Sequence, residues 1–198
     1  MVVFGITGGS GSGKTSVSKM LEKLGVHIID TDVIAHEIVE PNSECLNELV
    51  DYFGDSILND DKTLNRKKLA SIAFSDKLKT EALSNITHKY IKAEVVKDIN
   101  TTDAELVGID GAVIIGSNVE PLCEFIVSVI ADKQSRITRI KTRDNITDEQ
   151  AIQRINAQND DEFYKENSMY IIYNNGDITQ LESDVVGLFN KIKGNSFE

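Results

Sequence analysis

Residues 5–16 read GITGGSGSGKTS, set between the apolar run Val2–Thr7 and a segment of helical period. The core of the stretch, Gly8-x-x-x-x-Gly13-Lys14-Thr15, has the form G-x-x-x-x-G-K-[ST]. A strand before it and a helix after it are the context in which that form carries chemistry. Glycines let the backbone curl until several N–H groups face one anion. The helix that follows directs its positive end at the same point. In such a loop the lysine reaches the β- and γ-phosphates and the next hydroxyl ligates Mg²⁺. The stretch therefore predicts a site for a nucleoside triphosphate with Mg²⁺. Its contacts are Gly8, Gly11, Ser12, Gly13, Lys14, Thr15 and Ser16, with Thr15 on the metal and Ser16 at the α-phosphate. A glycine-rich turn with a chance lysine is the plain alternative, and it leaves the flanking pattern unexplained.

Working outward, KTSVSKMLEKLG places Val17, Met20, Leu21 and Leu24 on one helix face, with Gly25 able to end the helix. Short β-branched runs recur at Val2–Thr7, His27–Asp30, 105–110, 125–131 and Tyr170–Tyr173. Strands alternating with helices predict an α/β fold, a parallel five-stranded sheet flanked by helices. The alternation lapses from Asp32 to about Asn100. There Leu46, Leu49, Val50 and Phe53 form one helical stripe, and Leu78, Leu83, Ile86, Tyr90 and Val95 predict a longer helix. The chain thus divides into a core (1–31, 104–132 and 166–198), a helical insert at 32–103 and a charged helical segment at 133–165. Asp51-x-x-Gly54 lies on a helical stripe and reads as a helix end. No N-K-x-D guanine motif occurs.

The formal net charge of −11 argues against non-specific binding to nucleic acid or an anionic membrane. Cys45 and Cys123 have no metal-ligand spacing and read as reduced thiols. VVFGIT follows the first methionine directly, so no signal peptide is expected. The longest apolar run, FIVSVIA, is too short to span a bilayer. A cytoplasmic chain, monomeric or a small homo-oligomer, is the expectation.

The second strand ends in HIIDTD. Ligands of open α/β sheets bind at the carboxyl ends of the strands, so Asp32 can orient an acceptor hydroxyl. It can equally cap the helix beginning VIAHEIV, and both can hold. Arg136, Arg139 and Arg143 fall at i, i+3 and i+7, one helix face, with Ile137 and Ile140 off it. Arginines so aligned suit phosphate, or a solvated face with ion pairs.

GITGGSGSGKTS followed by IIDTDVIAHEIVEP at 28–41 resembles the dephospho-coenzyme A kinase family. The likeness continues in DKTLNRKKLASIAF (61–74) and LSNITHKYI (83–91), and more loosely in RIKTRDNIT (139–147) and YIIYNNG (170–176). It implies a P-loop kinase core, a helical acceptor-binding insert and a lid. It also implies transfer of the ATP γ-phosphate to the ribose 3′-hydroxyl of dephospho-CoA, the last step of coenzyme A biosynthesis. By resemblance, Asp32 orients the acceptor and Arg66 and His88 line its site. Lys14, Arg139 and Arg143 stabilise the transferring group, and Asn175 and Gly176 contact adenine. By themselves Arg66 and His88 read equally as ordinary helix residues, and Asn174-Asn175-Gly176 is first a turn signal.

Three departures touch the acceptor side rather than the transfer chemistry. AVIIG at 112–116 stands for the family's P-L-L-F-E, His88-Lys89 for histidine–proline, and Ser168-Met169 with Tyr173 for an alanine, an aspartate and a second aspartate. Two rivals stay open. One is another P-loop kinase for a nucleotide or small alcohol; Asp110-Gly111 matches the start of the adenylate kinases' D-G-x-P-R without its proline and arginine. The other is a nucleotide-binding module that no longer catalyses.

Overall fold

In a computed structural model, residues 1–195 are described; the last part of the GNSFE tail, expected to fray, lies outside them. Five strands, β1 (Val2–Thr7), β2 (His27–Asp30), β3 (Leu106–Asp110), β4 (Phe125–Ile130) and β5 (Tyr170–Tyr173), form one sheet in the order β2-β3-β1-β4-β5. β1 runs parallel to β3 and β4, and β4 to β5. Parallel strands need long crossovers, and helices supply them. These are α1 (Lys14–Lys23), α2 (Thr31–Glu37), α3 (Glu44–Phe53), α4 (Arg66–Ala73), α5 (Lys77–Thr101), α6 (Lys133–Asp144), α7 (Asp148–Asn156), α8 (Asp161–Glu166) and α9 (Ile178–Asn195).

The chain forms two compact units, residues 30–101 and the remainder. In the larger unit β1 is central, and Phe4 and Ile6 are fully buried among Val17, Leu21, Val127, Val129, Leu181 and Val185. Each such side chain contributes roughly 1.5–3 kcal/mol relative to exposure, before the entropy of ordering it. α1 and α9 pack together, which explains the stripe of Val17 and Leu21. Gly25, at φ 97°, ends α1 as its spacing foretold.

The smaller unit is helical. α5 packs against α2, α3 and α4. Its predicted stripe is carried by Ile86 and Val95, whereas Leu78 is 70% exposed in the first turn. Lys89, where the resembled pattern has proline, ties α5 to α3. Its Nζ lies 2.7 Å from Glu48 Oε2, which also accepts from the Tyr90 hydroxyl at 2.7 Å. A proline inside a helix costs about 3 kcal/mol or more, so this substitution suits the unbroken helix found here.

Segment 133–165 holds α6, α7 and α8. Ile137, Ile140, Ala151 and Ile155 make a core between α6 and α7. Asn145, left-handed at φ 52°, ends α6, and Thr147 with Gln150 forms a capping box at the start of α7. Asp144 accepts from both Arg143 and Arg154 across this turn.

Candidate active site

The loop from Gly8 to Gly13 joins β1 to α1. Lys14 opens α1, and its ammonium pairs with the carboxylate of Asp110 at the end of β3, the strand beside β1. The two side chains are only 14% and 5% exposed, so the pair is shielded from water. The first turn of a helix leaves N–H groups without intrahelical partners, here those of Lys14 and Thr15. A cation and the N–H donors of the first helical turn therefore lie together at the carboxyl edge of the sheet. Asp110 was legible as a strand end and as the start of a partial D-G-x-P-R match; its pairing with a residue 96 positions away was not.

The loop's carbonyls are held from the other side. Ser10 O accepts from Arg136 Nε at 2.9 Å. Arg139 Nη1 donates to Gly11 O at 3.2 Å and to Ser12 O at 3.3 Å, and Asn174 Nδ2 donates to Ser12 O at 2.8 Å. In a trans peptide the C=O and the following N–H point in opposite directions. Pinning Ser10 O and Ser12 O thus turns the N–H groups of Gly11 and Gly13 away from these donors. Gly13 has φ 97°, and a side chain there would collide with Asn174 Nδ2. Both observations require glycine.

Arg136, Arg139 and Arg143 share a face of α6 as their spacing implied, but they do different things. Arg136 is 5% exposed and lies on Ser10, with Asp161 at 3.6 Å. Arg139 holds Gly11, Ser12 and Asn174, its Nη2 donating to Asn174 O at 2.9 Å. Arg143 is exposed and bonded to Asp144 at 2.7 and 2.8 Å. That bond raises the arginine's pKa and holds the Asp144 carboxyl down at about 2.

The cap of α2 is Asp30, not Asp32: Asp30 Oδ1 accepts from Asp32 N at 2.9 Å and Val33 N at 3.1 Å. Asp32 sits inside the first turn with an exposed side chain. In the same unit Arg66 is the exposed first residue of α4, capped by Asn65. His88 is half-buried on α5, with Nδ1 3.4 Å from Ser84 Oγ.

At the end of β5, Asn174 is the buried member of the Asn-Asn-Gly turn. Asn175 is exposed and its Oδ1 accepts from Asp132 N at 2.8 Å; Gly176 is exposed beside it. Ser12 Oγ is buried with no hydrogen-bond partner among the described residues and lies against Gly8. Thr15 and Ser16 present exposed residues in the first turn of α1. The Thr15 hydroxyl and the Asp110 carboxylate are hard oxygen donors, which fits Mg²⁺, an ion held by few protein groups plus phosphate oxygens.

The departure at Ser168 has a local explanation. Ser128, fully buried on β4, lies 2.7 Å from Ser168 Oγ, so Ser168 satisfies a buried hydroxyl. Gly116 N donates to Glu120 Oε2 at 2.6 Å. A cleft of about 210 Å³ lies along 112–115, lined also by Thr7, Gln158, Phe163 and Tyr164. Burial, with Glu48 and Glu120 adding, pushes the Cys45 and Cys123 thiols up to about 11 and about 12. Neither is poised as a nucleophile.

The sequence model described as dephospho-CoA kinase matches residues 2–180. A dephospho-CoA kinase of Lactobacillus johnsonii is 34% identical over 191 residues, 95% of this chain and 96% of the relative. One of Listeria monocytogenes is 36% identical over 184 residues, 91% and 92% of the two chains. The solved dephospho-CoA kinase of Campylobacter jejuni superposes with a TM-score of 0.70 at 26% identity, covering 98% of each chain.

Proposed function

The chain belongs to the dephospho-CoA kinase family, and on that footing we propose how its own residues perform the transfer. It is an ATP-dependent phosphotransferase that moves the γ-phosphate to the ribose 3′-hydroxyl of dephospho-CoA, in coenzyme A biosynthesis. The observation that carries the assignment of residues is the shielded Lys14–Asp110 pair beside the loop.

In this proposal the N–H groups of Gly11, Gly13, Lys14 and Thr15 receive the β- and γ-phosphates. Lys14 exchanges Asp110 for phosphate oxygens and stays on the charge that grows between them. Thr15 and Asp110 would hold Mg²⁺, which would neutralise phosphate charge. Ser16 meets the α-phosphate, and the Asn175-Gly176 turn lies at the adenine.

Asp32 accepts a hydrogen bond from the 3′-hydroxyl and directs it. The O3′–Pγ bond forms as the bond from Pγ to the β,γ-bridging oxygen breaks, and the hydroxyl proton leaves towards Asp32. The transition state is loose, so aim counts for more than base strength. Arg66 and His88 receive the rest of the acceptor. Arg139 acts through the loop it holds. Arg143 is the lid's contact with the transferring group: its partner Asp144 keeps Arg154 when Arg143 leaves.

No helix among the described residues is long and apolar enough to cross a membrane, and we place the enzyme in the cytoplasm. The test is ADP release with ATP and Mg²⁺, with and without dephospho-CoA, and the product's mass. Release that depends on the acceptor, with one added phosphate on the ribose, is expected. ATP binding with no such turnover would return the acceptor to other alcohols.

A further inference from the structure

Ser10 lies in the phosphate loop, and the side chains that hold its polar groups come from 133–165. Its N–H donates to Gln158 Oε1 at 2.8 Å, and its hydroxyl accepts from Gln158 Nε2 at 3.1 Å. Its carbonyl accepts from Arg136 Nε at 2.9 Å. Arg136 Nη2 then donates to Gln158 Oε1 at 3.2 Å, which closes a ring of hydrogen bonds around one residue. The Arg136 guanidinium occupies the space a side chain at Gly9 would need, its Cζ 2.9 Å from that position. Gln158 thus spends both ends of its amide on Ser10, from the short connection between α7 and α8.

We propose that Gln158 is a positioning residue for phosphoryl transfer: with Arg136 it fixes the Ser10 peptide, and so the orientation of the loop that receives the triphosphate. The proposal rests on the reading of residues 8–15 as that loop. An amide is suited to the task because one end must accept, from an N–H and a guanidinium, while the other donates to a hydroxyl. The Ser10 N–H points at Gln158 and is withheld from the phosphates. Because Ser10 O is pinned, the N–H of Gly11 is turned the opposite way. Loss of the amide frees the Ser10 peptide to rotate, and the Gly11 N–H rotates with it. A displacement near 1 Å at a transferring group costs about 10²-fold in rate.

Gln158→Leu keeps the bulk and removes its three hydrogen bonds to Ser10 and Arg136. Gln158→Glu keeps the acceptor for Ser10 N–H and Arg136, and the Ser10 hydroxyl can turn to donate to it. The experiment measures kcat, KM for ATP, KM for dephospho-CoA and the melting temperature of both variants and of Lys14→Ala. Expected for Gln158→Leu is a fall in kcat of about 10–10²-fold, a raised KM for ATP and an unchanged KM for dephospho-CoA. Gln158→Glu recovers most of kcat. Combining Gln158→Leu with Arg136→Met adds little to either alone, since they act as one unit.

Wild-type kcat and KM in Gln158→Leu overturn the proposal. So does a loss that follows the melting temperature alone, raises neither KM selectively and is not recovered by glutamate; Gln158 is then only structural. If Lys14→Ala leaves ATP affinity and kcat unchanged, the loop assignment itself fails, whatever Gln158 does.

Discussion

Lys14, the first residue of α1, is ion-paired with Asp110, the last residue of β3, at the edge of a sheet in which β3 lies beside β1. The lysine's charge is therefore balanced by a carboxylate of its own chain. On the proposed assignment, ATP replaces that carboxylate to engage the ammonium, and the displaced carboxylate then faces phosphate.

Exchange of partners predicts opposite effects for the two members. Lys14→Ala should lower kcat by about 10²–10³-fold with the fold intact by circular dichroism. Asp110→Asn should bind ATP more tightly than wild type in EDTA, because one negative charge is gone. The same variant should turn over more slowly in Mg²⁺. Calorimetric titration with and without Mg²⁺ checks this; equal affinities in EDTA would detach Asp110 from the nucleotide.

Adjacent carboxylates on α2 should separate stability from chemistry. Asp30 caps the helix, so Asp30→Ala should cost about 0.5–2 kcal/mol, read as a lower urea midpoint. Asp32 does not cap, so Asp32→Asn should leave the midpoint and ATP affinity alone. It should lower kcat by about 10²-fold or more. Near-normal turnover in Asp32→Asn would leave that residue without a part in the transfer.

Gly13→Ala should be more damaging than its size implies. The left-handed backbone disfavours any Cβ by about 1–2 kcal/mol, and the methyl group would displace Asn174 from Ser12 O. ATP affinity should fall with stability. Asn174→Ala, which removes the obstacle and leaves Gly13 unchanged, should weaken the loop without the backbone strain. Thermal melts in the presence and absence of ATP distinguish the two.

The turn between α6 and α7 should loosen in acid. The Arg143 hydrogen bond, with help from Arg154, holds the Asp144 carboxyl below its usual range, at about 2. The folded state thus binds fewer protons than the unfolded chain between about pH 4 and pH 2. The stabilisation is complete above that window and fades as pH falls through it. The difference in urea midpoint between wild type and Asp144→Asn should be present at pH 6 and shrink towards pH 2.5. A difference that is constant with pH would assign the effect to shape rather than charge.

Most of the sheet was legible because parallel strands buried on both faces read as short β-branched runs. All five appear within a residue of their expected bounds, and the glycine after α1 ends it. The site was less legible. Helical period put three arginines on one face, yet it could not show that Arg136 is buried, because its partner Ser10 is 126 residues away. Asp110 was visible as the last residue of a strand, and what matters about it is which strand lies alongside. Asn174 was hidden by its own turn signal, since Asn-Asn-Gly explains itself without a tertiary role. Asp32 was a plausible cap because sequence cannot say which of two nearby aspartates stands outside the helix. Apart from that local choice of cap, each miss is a contact across the fold, and periodicity carries no information about those.

The bond from Asn174 to Ser12 spans 162 residues. The phosphate loop leaves the ribosome well ahead of one of the groups that shapes it. β1, moreover, is flanked by strands from beyond residue 105. A nascent chain therefore carries the nucleotide motif through the synthesis of the 162 residues up to Asn174 without a finished place to put ATP. Nucleotide binding should appear late and abruptly, when the Asn174 turn clears the exit tunnel, and stalled chains that end before β5 should have none.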